Sequence, residues 1–172
     1  MNPAPANMSI WAGDKLVCIK IAGRASFSSS VDFKTVVNSL WQSGSSRFVI
    51  DLSDCPLMDS TFLGVLAGFG VKFSATPPPP VPARIELLNP NARIADLLEN
   101  LGVAHLFNVH RDGPPPIEQL TAVPQPSSNP SKEEVSRVCL EAHQTLMDIN
   151  PANVPKFKDV TRFLAEDLKK QR

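Results

Sequence analysis

The chain has 172 residues, 42% apolar and 20% charged, with 17 basic and 17 acidic side chains that cancel. That size and balance suit one globular domain with a real core plus an attachment, and the zero net charge leaves no electrostatic footprint for nucleic acid or an anionic membrane surface. The longest apolar run, residues 62–71, is too short to span a bilayer; the first residues lack a secretory signal's basic start and apolar run; and Cys18, Cys55 and Cys139 form no Cys-x-x-Cys pair, so reduced thiols in a cytoplasmic protein are expected.

Residues 15–22 alternate, with Val17, Ile19 and Ile21 on one face, and read as a strand that Gly23 ends. Residues 31–41 carry apolar side chains at 33, 36, 37, 40 and 41, the spacing of an amphipathic helix. The almost wholly apolar residues 47–53 suit a central strand buried on both faces, and residues 60–73 read as a helix. Prolines 77–80 and 82 can sit in neither helix nor central strand, so a stiff loop is expected there. A strand at 84–88, a helix at 91–100 followed by Gly102, and a short strand at 106–110 complete the alternation. Strands joined by helical crossovers of this length argue for an α/β sheet with parallel pairs over residues 1–112. The proline-rich residues 113–130 fit a linker with a helical turn at 116–120.

The helix expected at 60–73 is apolar on every side. Gly64, Ala67, Gly68 and Val71 share one face, whose small residues suit close approach to the sheet, and Phe62, Val65 and Phe69 share another. Two readings of the second face stand side by side: an exposed contact surface for a partner, or burial beneath the protein's own C-terminal helices. Residues 131–172 look like a helical hairpin. Residues 132–148 align Val135, Val138, Cys139, Ala142 and Leu146 on one stripe, Asn150-Pro151 interrupts, and residues 154–170 align Phe157, Val160, Phe163, Leu164 and Leu168 on another. Ser131 with Glu134 offers a capping box. Such a hairpin is too small to bury its stripes alone; a brace on its own domain, a partner, or a second protomer in a homodimer would cover them.

Catalytic arrangements are not apparent. His105, His110 and His143 show no metal-like spacing, Cys55 lies beside Pro56 without a basic neighbour, and neither a phosphate loop nor a nucleophile elbow is present. No catalytic residue, metal or cofactor is expected.

Residues 48–68, with Met58, Asp59, Ser60, Thr61, Leu63 and Gly64 at a strand–turn–helix junction, resemble the core of a STAS domain, the fold of bacterial anti-sigma factor antagonists, whose pattern is Met-Asp-Ser-Ser/Thr-Gly-Leu-Gly. The similarity extends more loosely over residues 11–111, with 16–23 as the second strand and 89–98 before the last helix. The final third of the chain has no counterpart. The resemblance implies a mixed sheet of about five strands with helices packed on it. It also implies a signalling role without enzymatic activity. An anti-sigma factor that is also a serine kinase would phosphorylate Ser60, with Thr61 as second candidate, and a phosphate there would face free N–H groups while adding charge to the contact surface. Asp59, Ser60, Thr61, Phe62, Val65 and Phe69 would then contact the partner. Asp59 and Ser60 are equally suited to plain helix capping. Two departures from the family are Phe62 in place of the glycine, a bulky ring beside the hydroxyl, and Gly23-Arg24-Ala25-Ser26 where an acidic residue commonly stands. The alternative function is an unphosphorylated adaptor or scaffold in a larger signalling or transport-regulating assembly.

Overall fold

The computed structural model describes residues 6–75, 83–125 and 129–170. Its strands are β1 (Asn7–Ala12), β2 (Leu16–Ala22), β3 (Arg47–Asp51), β4 (Arg84–Leu88), β5 (Asn108–His110) and β6 (Thr121–Val123). They form one mixed sheet in the order β5-β4-β3-β2-β1-β6. The hairpin β1–β2 and the β1–β6 pair are antiparallel; β2, β3, β4 and β5 run parallel to one another. The α-helices are α1 (Phe27–Gln42), α2 (Ser60–Ala75), α3 (Ala92–Asn100), α4 (Lys132–Ile149) and α5 (Val154–Lys170).

The period-two pattern sorts the strands onto two faces. Register aligns Val17 with Phe48 and Phe48 with Ile85, and in the next row Ile19, Ile50 and Leu87. All six are buried in the main core, to which α1, α2, α3 and α4 also contribute. The opposite face carries Cys18, Val49 and Leu88, a small cluster covered by Ile117 and Leu120. Burial there pushes the Cys18 thiol up to about 11. Beside it Arg47 grips the Glu86 carboxylate through Nε and Nη2, and His110 Nε2 lies 3.2 Å from the same group. The Arg47 hydrogen bonds hold the Glu86 carboxyl below its ordinary value.

The proline-rich stretch read as a linker has more structure than a tether. It leaves β5 at one edge of the sheet, lays Ile117 and Leu120 across the open face, and pairs as β6 with β1 at the far edge. Leu120 N–H donates to the Ile117 carbonyl, a tight turn within residues 116–120. Residues 76–82, which include the proline run expected as a stiff loop, lie outside the described residues.

α1 begins at Phe27, earlier than the apolar spacing indicated, because serines fill its first turn and Ser30 Oγ donates back to the Phe27 carbonyl. The C-terminal pair forms as expected. Ser131 Oγ accepts from the Glu134 N–H to start α4, and a 3-10 turn over Pro151–Asn153 separates α4 from α5. α4 lies on α2 and α1, and α5 lies on α4. Val138, Ala142 and Leu146 from the predicted stripe are buried beneath α4. Fully burying a side chain the size of Val or Leu stabilises by about 1.5–3 kcal/mol. The junction is pinned as well, since Asn153 Nδ2 donates to the carbonyls of Leu101 and Leu146.

The strongest difference from expectation concerns α2. Phe62, Val65 and Phe69 are 0%, 8% and 4% exposed, so they form no open patch. Phe33 of α1 meets Phe62 at 4.7 Å and Phe69 at 6.3 Å between ring centroids. Nor does the glycine face meet the sheet. A Cβ built on Gly64 would lie 2.5 Å from the Ala142 carbonyl oxygen, one on Gly68 would lie 3.8 Å from Thr145 Cγ2, and Val71 is exposed. α2 is flanked by α1 on one side and α4 on the other, which is why its sequence is apolar all round.

Candidate functional site: the start of helix α2

The site begins with a tie between two loops. Ala25 N–H donates to the Leu57 carbonyl at 2.9 Å, and Asp59 N–H donates to the Ala25 carbonyl at 2.9 Å. These bonds set the residues that precede α1 against those that precede α2, so both helices start at one place. Asp59 serves both. Its Oδ1 accepts from the Phe62 N–H at 2.8 Å, the N-cap bond of α2, and its Oδ2 accepts from the Phe27 N–H at 2.8 Å in the first turn of α1. The Ser26 side chain, at the N-cap of α1, makes no cap bond of its own. A carboxylate at two helix N-termini also faces the positive ends of two dipoles.

Because Asp59 performs the capping, the Ser60 hydroxyl is left for another partner. It lies 2.9 Å from His143 Nε2 on α4. His143 Nδ1 lies 2.7 Å from the Cys139 carbonyl, and a carbonyl only accepts. Nδ1 therefore carries the hydrogen, and in the neutral ring Nε2 accepts the proton that Ser60 offers. The ring is buried and packs against Phe157 of α5 at 4.9 Å between centroids. Thr61 is buried one residue further, and its Oγ1 donates to Cys139 Sγ at 3.6 Å. Burial raises the Cys139 thiol, the Thr61 hydrogen bond opposes that, and the charge of Asp59 adds to the rise.

Asp59, Ser60 and Thr61 thus stand together as the sequence indicated. Phe62, Val65 and Phe69 do not join them at a surface: all three are buried in the main core, Phe62 and Phe69 against Phe33 of α1. The Phe62 ring packs on Phe33 and so does not obstruct the hydroxyl. His143 and Cys139 were missed as members of the site. Both lie on or beside the apolar stripe of α4, and a polar ring there was a visible anomaly, but nothing in sequence indicated that α4 crosses the start of α2. His105 and His110 lie elsewhere, His110 against Glu86. Among the described residues no cluster of three His, Cys, Asp or Glu side chains could hold a metal ion, and no helix is long and apolar enough to cross a membrane.

The STAS domain family model matches residues 9–113, which contain the sheet strands β2 to β5, α1, α2 and α3. The chain belongs to the STAS domain family. Its fold resembles that of the anti-sigma factor antagonist SpoIIAA in its unphosphorylated form, with a TM-score of 0.50 at 15% identity over 63% of this chain and 90% of that one. A protein from Thermotoga maritima provisionally classed as an anti-sigma factor antagonist matches with a TM-score of 0.52 at 18% identity, over 59% of this chain and 85% of the other. No curated protein sequence matches significantly. The family match ends before β6, α4 and α5, so the helix that carries His143 lies outside the STAS portion.

Proposed function

We propose that this chain is an anti-sigma factor antagonist of the STAS family, acting in the cytoplasm, which binds an anti-sigma factor with serine kinase activity and is released by phosphorylation of Ser60. The observation that carries this reading is the division of labour at the start of α2. Asp59 caps the helix through Oδ1, and Ser60 keeps its hydroxyl free of the backbone. A residue present only as a cap would not need a second capping side chain beside it. In the proposed reaction Ser60 Oγ attacks the terminal phosphorus of ATP held by the partner. The Oγ–P bond forms, the bond to ADP breaks, and the hydroxyl proton leaves to a base of the partner. The new dianion sits at a helix N-terminus, which tolerates it, while the contact surface gains about 1.5 to 2 negative charges. The chain itself is proposed to supply no catalysis; ATP hydrolysis by the purified protein that a point substitution removes would overturn that part.

The covering of Ser60 by His143 favours a second reading, a STAS adaptor whose serine never meets a kinase. Intact-mass measurement on protein purified from its own cells separates the two. A species heavier by about 80 Da, mapped to Ser60 and absent from Ser60→Ala, supports the switch. A uniformly unmodified protein supports the adaptor, and modification mapped to Thr61 moves the acceptor by one residue.

A further inference from the structure

Resting on the reading of Ser60 as acceptor, the geometry points to a docking surface that is occupied from within. The first turn of α2 carries the hydroxyl an outside kinase must reach, and α4 is its resident occupant. Docking and phosphorylation therefore require the C-terminal helical pair to lift.

Three contacts define the cover. At the start of α2 the Ser60 hydroxyl is already at hydrogen-bond distance from His143 Nε2, 2.9 Å, on a ring that the Cys139 carbonyl and Phe157 hold in place. Ser60 is half-buried, and a phosphoryl group on Oγ in this rotamer would have to displace the His143 ring. Next to it the Thr61 side chain is buried against Cys139. One turn on, the built Cβ of Gly64 lies 2.5 Å from the Ala142 carbonyl oxygen, so the two helices touch through their backbones and leave no room for another side chain between them at that point.

α4 is held by its own buried stripe and by Asn153, and the rest of the pair adds little. α5 buries Thr161 alone, and it reaches the STAS domain through peripheral groups such as Lys156 Nζ on the Asn100 carbonyl. The Lys34–Glu141 ion pair that joins α1 to α4 is solvent-exposed, and such pairs contribute little. Because a phosphoryl group on Ser60 Oγ would take the place of the His143 hydrogen bond, phosphorylation and lifting are thermodynamically linked. Whatever lifts α4 promotes phosphorylation, and phosphorylation keeps α4 lifted. In the lifted state the stripe of Val138, Ala142 and Leu146 becomes available, so the modification presents a new apolar face as well as a new charge.

The first test needs no kinase. Cys139 reports the cover, since its thiol lies against Thr61, whereas Cys18 and Cys55 are buried in the STAS domain. Ser60→Glu in the full chain, and separately Gly64→Ala, should raise N-ethylmaleimide labelling of Cys139 and amide exchange across α4 at least tenfold. Exchange in β2, β3 and β4 should not change. Wild-type rates at Cys139 and α4 in both variants would overturn the cover. The second test locks it. Gly68→Cys with Thr145→Cys, where a Cβ at position 68 would lie 3.8 Å from Thr145 Cγ2, is within reach of a disulfide between α2 and α4 without altering Ser60, Thr61 or His143. In an extract of the source cells with ATP, the oxidised form should take up phosphate on Ser60 at least tenfold more slowly than the same protein after reduction. Equal uptake in the two forms overturns the inference. Uptake on Ser60 in neither form, nor in Gly64→Ala, overturns the phosphoacceptor reading instead, and the first test then decides the cover alone.

Discussion

α2 and α5 have almost the same length, 16 and 17 residues, yet α2 buries ten of its residues and α5 buries Thr161 alone. α2 is apolar all round because three layers meet on it: the sheet, α1 and α4. α5 carries a well-formed apolar stripe, but α4 covers only part of it, and Val160 and Phe163 remain exposed. Periodicity thus describes the shape of an apolar surface without saying how much of it finds a neighbour. The STAS portion is a structure whose helices complete one another. The C-terminal pair is an attachment that completes α2 without itself being completed.

Deleting residues 131–172 is the largest available perturbation of that contrast. The STAS domain should stay folded by far-UV circular dichroism but lose roughly 3–6 kcal/mol, from the burial that Val138 and Leu146 no longer provide, and should bind an apolar dye along α2. An unchanged melting temperature would mean that the pair does not brace the domain. Single truncations sharpen the same contrast. Phe33→Ala, which empties the aromatic contact between α1 and α2, should cost about 3–5 kcal/mol by denaturant titration. Phe163→Ala, at a side chain 63% exposed, should stay within about 0.5 kcal/mol of wild type.

The two glycines facing α4 give a finer comparison. Gly64→Ala should destabilise by about 1–3 kcal/mol because the new methyl group meets backbone that cannot yield. Gly68→Ala meets only Thr145 Cγ2 at 3.8 Å and should be neutral or gain up to about 1 kcal/mol from helix propensity. Equal effects at both positions would remove the close approach of α4. The smallest effect concerns pH. The Glu86 carboxyl is lowered from 4.5, chiefly by Arg47. Its stabilising contribution is therefore complete above pH 4.5 and is lost as pH falls through the lower folded value. Glu86→Gln should flatten this limb of an acid melting series, and an identical limb in the variant would show that the ion pair contributes nothing.

Much of the STAS portion was legible because its signals are local. Alternation at Val17, Ile19 and Ile21, the apolar run ending in β3, and the Met58–Gly64 junction each lie within a few residues. The expected mixed sheet is present, with β6 as an addition. β6 escaped notice because Thr121–Val123 is short and sits among prolines, and its strand character comes from pairing with β1 rather than from its own residues. The burial of Phe62, Val65 and Phe69 was not legible for a related reason. Spacing places them on one face, but only the tertiary path of α1 brings Phe33 against them. His143 is 83 positions from Ser60, and no periodic signal spans that gap.

The sheet's borders have a consequence of their own. β5 and β6 are each three residues long, while β1 to β4 are longer and have neighbours on both sides. A long unpaired border invites another molecule to continue the ladder, and a very short one offers too few main-chain donors and acceptors to hold a guest strand. The crossing of residues 111–120 therefore does more than close the open face. β6 covers Ile10, Trp11 and Ala12 of the six-residue β1, and Gln125 Oε1 accepts the Met8 N–H, so only a short margin is left and encounters between copies of this protein at high concentration should not propagate as cross-strand fibres.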